Sequence, residues 1–509
     1  MIRNKLTSSL LFFVLVITAS AASAQETPVS SSVFMASLGL GALAAFVLSL
    51  NPIVLLWFAT IMTLLVAGTV GYFVPSLSQI WWVSYGAAAL LFVPPLLGFI
   101  ARSNRPVNEK APLIYWSLLV FVFSALLSTA WANPSLKQVI GAFKDWIMFG
   151  GLWFFLANTF VSVQQIRLWL RLLLGIGLFQ VIPVLYQFIV IAGGRVSASP
   201  DNPVSGIFAA DSVVGTFGGN PAGGGLSAVM ALYLICVIVL TISYRRHGLM
   251  DQKFAYTVLF VAVIPLALSE VKAIFIYLPI ALILLFGEEL SRRPLIFVGM
   301  MALGGVTLFS VLYANYLFYW SHDHGSLGES LGMFTYSFRG NEVIETSRWN
   351  VLTHWWENNM RTFAFETLFG HGAGASRVSG GLTGSLSEVY QDRVIDYTGA
   401  STILWDYGLI GLTSLAGILF GTYRLLTRVK RNNERYDAET RATAAGMASL
   451  IPVIALSLFY RSDIPYIAPM MFMVMISLGL ALVLARRNAH ATADRLKPVG
   501  LGPGTVAGP

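Results

Sequence analysis

Apolar runs of about 20 residues with almost no charge recur from Val33 to Ala485. Runs of that length satisfy their own backbone in hydrocarbon only as helices. The pattern therefore predicts an all-α, polytopic membrane bundle of about 13 transmembrane helices. They fall near 33–50, 53–73, 80–101, 112–132, 138–158, 166–192, 226–244, 254–268, 270–286, 294–315, 400–424, 440–460 and 466–486. The run at 254–268 is short for a span. It either pairs tightly with its successor or is buried among other helices.

One long polar stretch, Trp320 to Thr398, interrupts this pattern. It divides the chain into a first segment (1–24), membrane helices (25–315), a large loop (316–399), C-terminal membrane helices (400–487) and a tail (488–509) that ends in Gly and Pro and is expected to be disordered. Residues 1–24 have the parts of a secretory signal: basic Arg3 and Lys5, apolar Leu10 to Ile17, and Ala22-Ser23-Ala24 before Gln25. The alternative is an uncleaved first helix. Either way Gln25 starts outside the cytoplasm.

Composition agrees. The chain is 56% hydrophobic and 11% charged, with a mean hydropathy of +0.72, against roughly 25% charged in soluble domains. The net charge of +8 does not point to nucleic acid. Its Lys and Arg gather in alternate loops: Arg102, Arg105 and Lys110; Arg167 and Arg171; Arg245, Arg246 and Lys253; Arg292 and Arg293; Arg428, Lys430 and Arg431; Arg486 and Arg487. The positive-inside rule makes these loops cytoplasmic. The single cysteine, Cys236, excludes an intrachain disulfide and a cysteine metal site.

The polar loop then faces outward. It holds nine acids against five arginines, so it is not a basic patch for anionic lipid. Glu342 to Phe369 lacks Gly and Pro and is expected to be helical. Its apolar side, with Val343, Trp349, Leu352, Trp355, Trp356 and Met360, would lie along the membrane surface. Gly370 to Gly384 is turn-rich and expected to be mobile.

Several charged residues stand out. Lys272 sits at the outer end of an apolar run, where it either lines a site or pairs with Glu270. Lys144 and Asp145 interrupt another run, pairing with each other or lining the same cavity. Arg461 is placed similarly. His371, in the Gly-rich turn, could act as a base near neutral pH. His322-Asp323-His324 is too sparse to compel a metal site, and no cofactor is expected.

Certain motifs occur in order: Gly215-Thr216-Phe217 before Asn220-Pro221, Ser269-Glu270-Val271-Lys272-Ala273, Arg348-Trp349, Gly370 to Gly374, and Asp406-Tyr407-Gly408-Leu409-Ile410-Gly411. Their order resembles that of the O-antigen ligase and polymerase superfamily of bacterial envelopes. The resemblance implies an inner-membrane glycosyltransferase without a required cofactor. It would act at the periplasmic face on undecaprenyl-diphosphate-linked oligosaccharide, alongside other polysaccharide assembly proteins. It implies diphosphate binding by Arg348, with Lys272, Lys144 or Arg461, because a guanidinium holds phosphate oxygens bidentately. Many relatives carry a His-Asn pair where this chain has Tyr397 and Thr398. The base is then Asp396 or His371, and polymerase is favoured over ligase. The rival reading is a transporter or flippase, with Gly175-Ile176-Gly177 and Gly304-Gly305 as broken-helix marks. A topology reporter fused near residue 350 should signal outside the cytoplasm; a cytosolic signal would overturn this orientation.

Overall fold

The computed structural model describes residues 51–100, 111–159, 161–192, 212–219, 226–269, 271, 273–295, 337–339, 342–344, 348–361, 363–377, 383–390 and 393–495, with scattered positions between 298 and 313. The signal segment, the predicted span at 33–50, Lys272 and His322 to His324 lie outside the described residues. The predicted span at 294–315 is described only in part.

In chain order the helices are α1 (Pro52–Phe73), α2 (Pro75–Ile100), α3 (Pro112–Ala132), α4 (Leu136–Asn158), α5 (Val163–Ala192) and α6 (Ser227–Arg246). Two shorter apolar helices follow, α7 (Gln252–Leu268) and α8 (Ile274–Leu285). A hairpin of β1 (Ser337–Arg339) and β2 (Glu342–Ile344) precedes α9 (Asn350–Asn359) and α10 (Phe365–Phe369). Then come α11 (Gly399–Arg431), α12 (Ala438–Ser457) and α13 (Ala468–Arg495). Among the described residues nine helices, α1 to α6 and α11 to α13, are long and apolar enough to cross a membrane.

Local chemistry sets their ends. Pro112 opens α3, where its missing N–H costs nothing, and Asn133 closes it in the left-handed region. Ser162 and Gln165 form a capping box on α5, and Thr398 and Ser401 form one on α11. Asp251 and Asp437 cap α7 and α12.

Burial follows sequence. The membrane-length part of α13, Ala468–Arg487, is apolar all round and wholly buried, so it forms the centre of the bundle. It packs on α4, and Gly479 lets Leu156 approach closely. α6 packs on α12, and α11 packs between α3 and α12. α2, α3 and α5 present much of their surface outward.

One non-helical segment enters this apolar interior. Residues 213–217 are buried against α1 and α5. Gln187 Oε1 accepts the N–H groups of Val214 and Gly215, and its Nε2 donates to the Gly215 carbonyl. Gln180 serves Thr216 in the same two-way manner, through its N–H and its hydroxyl. Thr216 Oγ1 also donates to the Leu64 carbonyl, within the π-helical turn Met62–Val66 of α1. Irregular backbone among membrane helices persists where side chains satisfy it in this way. Gly68 is required there, since a Cβ would lie 2.2 Å from the Thr216 carbonyl oxygen.

Arg167, Arg486 and Arg487 gather at one end of the bundle. Arg167 pairs with Glu439 at the start of α12, Arg487 donates to Thr440, and Arg486 donates to carbonyls at the end of α4. The 348–399 segment occupies the opposite end, against the C-terminus of α3 and the N-termini of α4 and α11.

Three expectations are corrected. Glu342–Ile344 is a strand paired antiparallel with Ser337–Arg339; the helix begins only at Asn350 and ends at Asn359, before Phe363, whose φ of +39° is not helical. Its apolar side is divided, since Trp355 is buried while Trp349 and Trp356 are exposed. The tail begins later, because α13 continues to Arg495.

α11 itself is broken at Gly408 (φ +67°, ψ −166°). A Cβ there would lie 2.4 Å from the Leu368 backbone. Gly408→Ala combines left-handed strain with a backbone clash, each worth about 1–3 kcal/mol. It should lower the thermal midpoint of the purified protein sharply, and an unchanged midpoint would contradict the packing described.

Candidate functional site

The break in α11 leaves carbonyls without helical partners, and the Gly-rich turn supplies them. His371 N–H donates to the Trp405 carbonyl at 2.8 Å, and Gly372 N–H to the Asp406 carbonyl at 3.1 Å. From α3, the Ser128 hydroxyl also reaches the Asp406 carbonyl (2.7 Å), and the Ser124 hydroxyl reaches that of Tyr407 (3.2 Å). The Asp406 carboxylate, 1% exposed, accepts the N–H groups of Gly374 and Ser376, both at 2.9 Å. Gly370, Gly372 and Gly374 all have positive φ, and a Cβ on Gly370 would strike the Asp406 backbone at 2.4 Å.

The described part of the turn expected to be mobile, residues 370–377 with 383 and 384, is thus fastened on several sides. Gln138 of α4 donates to the Ala373 carbonyl, Ser387 to that of Ser376, and Gly384 N–H to that of Arg377. The length of its polar, glycine-rich sequence signals a turn, but the anchors come from α3, α4 and α11.

This arrangement carries Arg377 into the interior. It is 6% exposed, donates from Nη1 to the Gly141 carbonyl of α4 (2.7 Å), and lies 4.5 Å from the Tyr466 ring. Asp396 is 5% exposed, and its charge acts on both Asp406 and Tyr466. Burial first, then the charges of Asp406 and Asp396, pushes the Tyr466 phenol well above its usual range, so it remains a protonated hydroxyl.

Arg348 lies at the same end. Its Nε donates to the Tyr460 carbonyl (2.7 Å), and its guanidinium sits 4.4 Å from the Tyr460 ring and 5.6 Å from the Tyr397 ring. Arg461 adjoins it in sequence, and its carbonyl accepts Gly399 N–H (2.9 Å) at the start of α11. The 458–466 connection therefore joins Arg348, Asp396 and Arg377 to one helix end. Sequence-predicted Arg348, Asp396 and Arg461 are brought together there.

His371 is held on the Trp405 flank of this turn. Its Nε2 lies 3.1 Å from Asn359 Oδ1, and its ring is 5.6 Å from that of Trp405. With Nε2–H donating to Asn359, Nδ1 is left as the acceptor. Burial lowers its pKa, with Glu366 opposing, so the imidazole is neutral at physiological pH. Lys144 points towards α2, where its Nζ lies 5.2 Å from the Trp82 ring and 5.0 Å from the Tyr85 ring. The side chain of Asp145 is outside the described residues.

Sequence reading missed Arg377 and Tyr466 as site residues. Arg377 had a faint signal, an arginine three residues past Gly374 in an acidic loop; Tyr466 had none. Among the described residues no group of three His, Cys, Asp or Glu is placed to hold a metal.

Asp406→Asn replaces one carboxylate oxygen by an amide that faces a backbone N–H. An unsatisfied buried group costs about 1–3 kcal/mol. Hydrogen exchange at 371–377 should accelerate in this variant before that of the distant α6, and uniform exchange would refute a local anchoring role.

No protein-family model matches the chain, and no curated protein matches it. The nine long apolar helices make it a multi-pass helical membrane protein.

Proposed function

We propose that the chain is a membrane glycosyltransferase. It extends a glycan by transfer from undecaprenyl-diphosphate-linked oligosaccharide at the periplasmic face of the bacterial inner membrane. The observation that carries this reading is the clustering of Arg348, Arg377, Asp396 and Asp406 at one bundle end, where the loop is locked onto broken helix α11.

Transfer breaks the bond between the sugar C1 and the diphosphate oxygen and forms a new C1–O bond to the acceptor hydroxyl. Negative charge grows on the leaving diphosphate, and cations placed beforehand lower that barrier. Arg348, in the 348–349 motif that resembles the family, holds the diphosphate; Arg461 stands beside Tyr460, on which Arg348 stacks. The acceptor's proton passes to Asp396 or, on the Trp405 flank, to Nδ1 of His371. A neutral imidazole at physiological pH suits that role. The exposed indoles of Trp349 and Trp356 suit the membrane interface. Chain lengthening is favoured over ligation, since Tyr397 and Thr398 stand where ligase-like relatives carry His-Asn.

The break at Gly408 also favours a second reading, a transporter for such lipids, because transporters use discontinuous helices. Gly175 and Gly177 do not support it, for the helix runs unbroken through both. Reconstitution with labelled lipid-linked oligosaccharide separates the two: new glycosidic bonds mean transferase, and movement without them means transporter. Arg348→Ala should fold with a near-normal thermal midpoint and lose about 100-fold or more of elongation, with Arg348→Lys recovering only part. Normal product length in Arg348→Ala would remove this arginine from the mechanism.

A further inference from the structure

Lys144 is eight residues into α4, roughly 12 Å along the axis at about 1.5 Å per residue. The Lys144 side chain is half-buried. The ammonium turns sideways, onto the faces of Trp82 and Tyr85 within α2. Tyr85 is buried against Phe149, which fixes one wall. Trp82 is 53% exposed on the outward face of the bundle, so the other wall fronts the lipid. Aromatic faces attract a half-buried cation but accept none of its N–H bonds. A charged side chain within a helix long and apolar enough to span a membrane is a functional feature by default.

The position of this cage gives it a ligand. One turn earlier on α4, the Gly141 carbonyl holds Arg377. Arg377 stacks on Tyr466 and Arg348 on Tyr460, at the two ends of one short connection. Three cations, each against an aromatic ring, thus lead from the lipid-facing surface at Trp82 to the start of α11. We infer that Lys144, Trp82 and Tyr85 form a lateral binding site for a lipid-borne phosphate, through which the headgroup reaches the arginines from within the membrane. The ammonium donates to phosphate oxygens, while the Trp82 ring packs on the first carbons of the lipid chain. The identity of the carrier, an undecaprenyl phosphate, rests on the transferase reading; the site itself does not.

The test measures binding without turnover, using the full chain in detergent and native mass spectrometry. The probes are undecaprenyl phosphate, phosphatidylglycerol and inorganic diphosphate. Wild type should retain one undecaprenyl phosphate, and Lys144→Met, which fills the same volume without charge, should weaken it at least tenfold. Lys144→Arg should restore binding. Trp82→Ala, at a half-exposed position on the outward face, should weaken binding as well, which keeps the test valid if Lys144→Met misfolds. Phosphatidylglycerol binding as tightly means that any lipid phosphate suffices; weaker binding marks a carrier-specific site, and both agree with the inference. Equal binding by wild type, Lys144→Met and Trp82→Ala overturns it, as does full displacement by inorganic diphosphate, which would mean a free-anion site. Loss of binding in Lys144→Met together with normal elongation in Arg348→Ala would leave this site standing while the transferase mechanism falls.

Discussion

The break in α11 at Gly408 is the constraint on which the rest depends. A membrane helix that loses its hydrogen-bond ladder must find partners for the freed groups inside the protein. Here the carbonyls of Trp405, Asp406 and Tyr407 are met by the N–H groups of His371 and Gly372 and by two serines of α3. The Asp406 side chain adds two more bonds, to Gly374 and Ser376. The turn and the helix therefore satisfy one another. Neither conformation is tenable alone, because each would strand buried polar groups.

That mutual dependence positions the chemistry. Six residues separate His371 from Arg377, yet they emerge on different flanks of the break. One lies beside Trp405 and Asn359, the other between Gly141 and Tyr466. Asp396 is delivered by the turn before α11, whose capping box at Thr398 and Ser401 fixes where the helix starts. The cations share one mode of solvation. Arg348, Arg377 and Lys144 each rest on tyrosine, whose ring face attracts the cation.

The basic end of the bundle works differently. Arg167 pairs with Glu439 and Arg246 with Glu289, while the largely buried Arg487 donates to Thr440.

Much of the fold was legible in the sequence. Hydrophobic length fixes a membrane helix almost alone, and the spans from 53–73 to 226–244, together with the last three, coincide with helices of the structure. Caps such as Thr398 and Pro112 are local, so they too could be read from neighbouring residues. The site was legible only in part: Arg348, Asp396 and Arg461 could be singled out by type and place, Arg377 and Tyr466 could not. What makes Arg377 a buried cation is Gly141, some 236 residues away in sequence, and what stills the glycine turn is Asp406, some 30 residues on. Which of Trp349, Trp355 and Trp356 is buried depends on Ile395 and Trp405 packing beneath α9. Transfer of a segment into lipid is a sum over its own residues, so sequence alone determined it; the partner of each polar group is a matter of distant neighbours, and only the tertiary structure decided that.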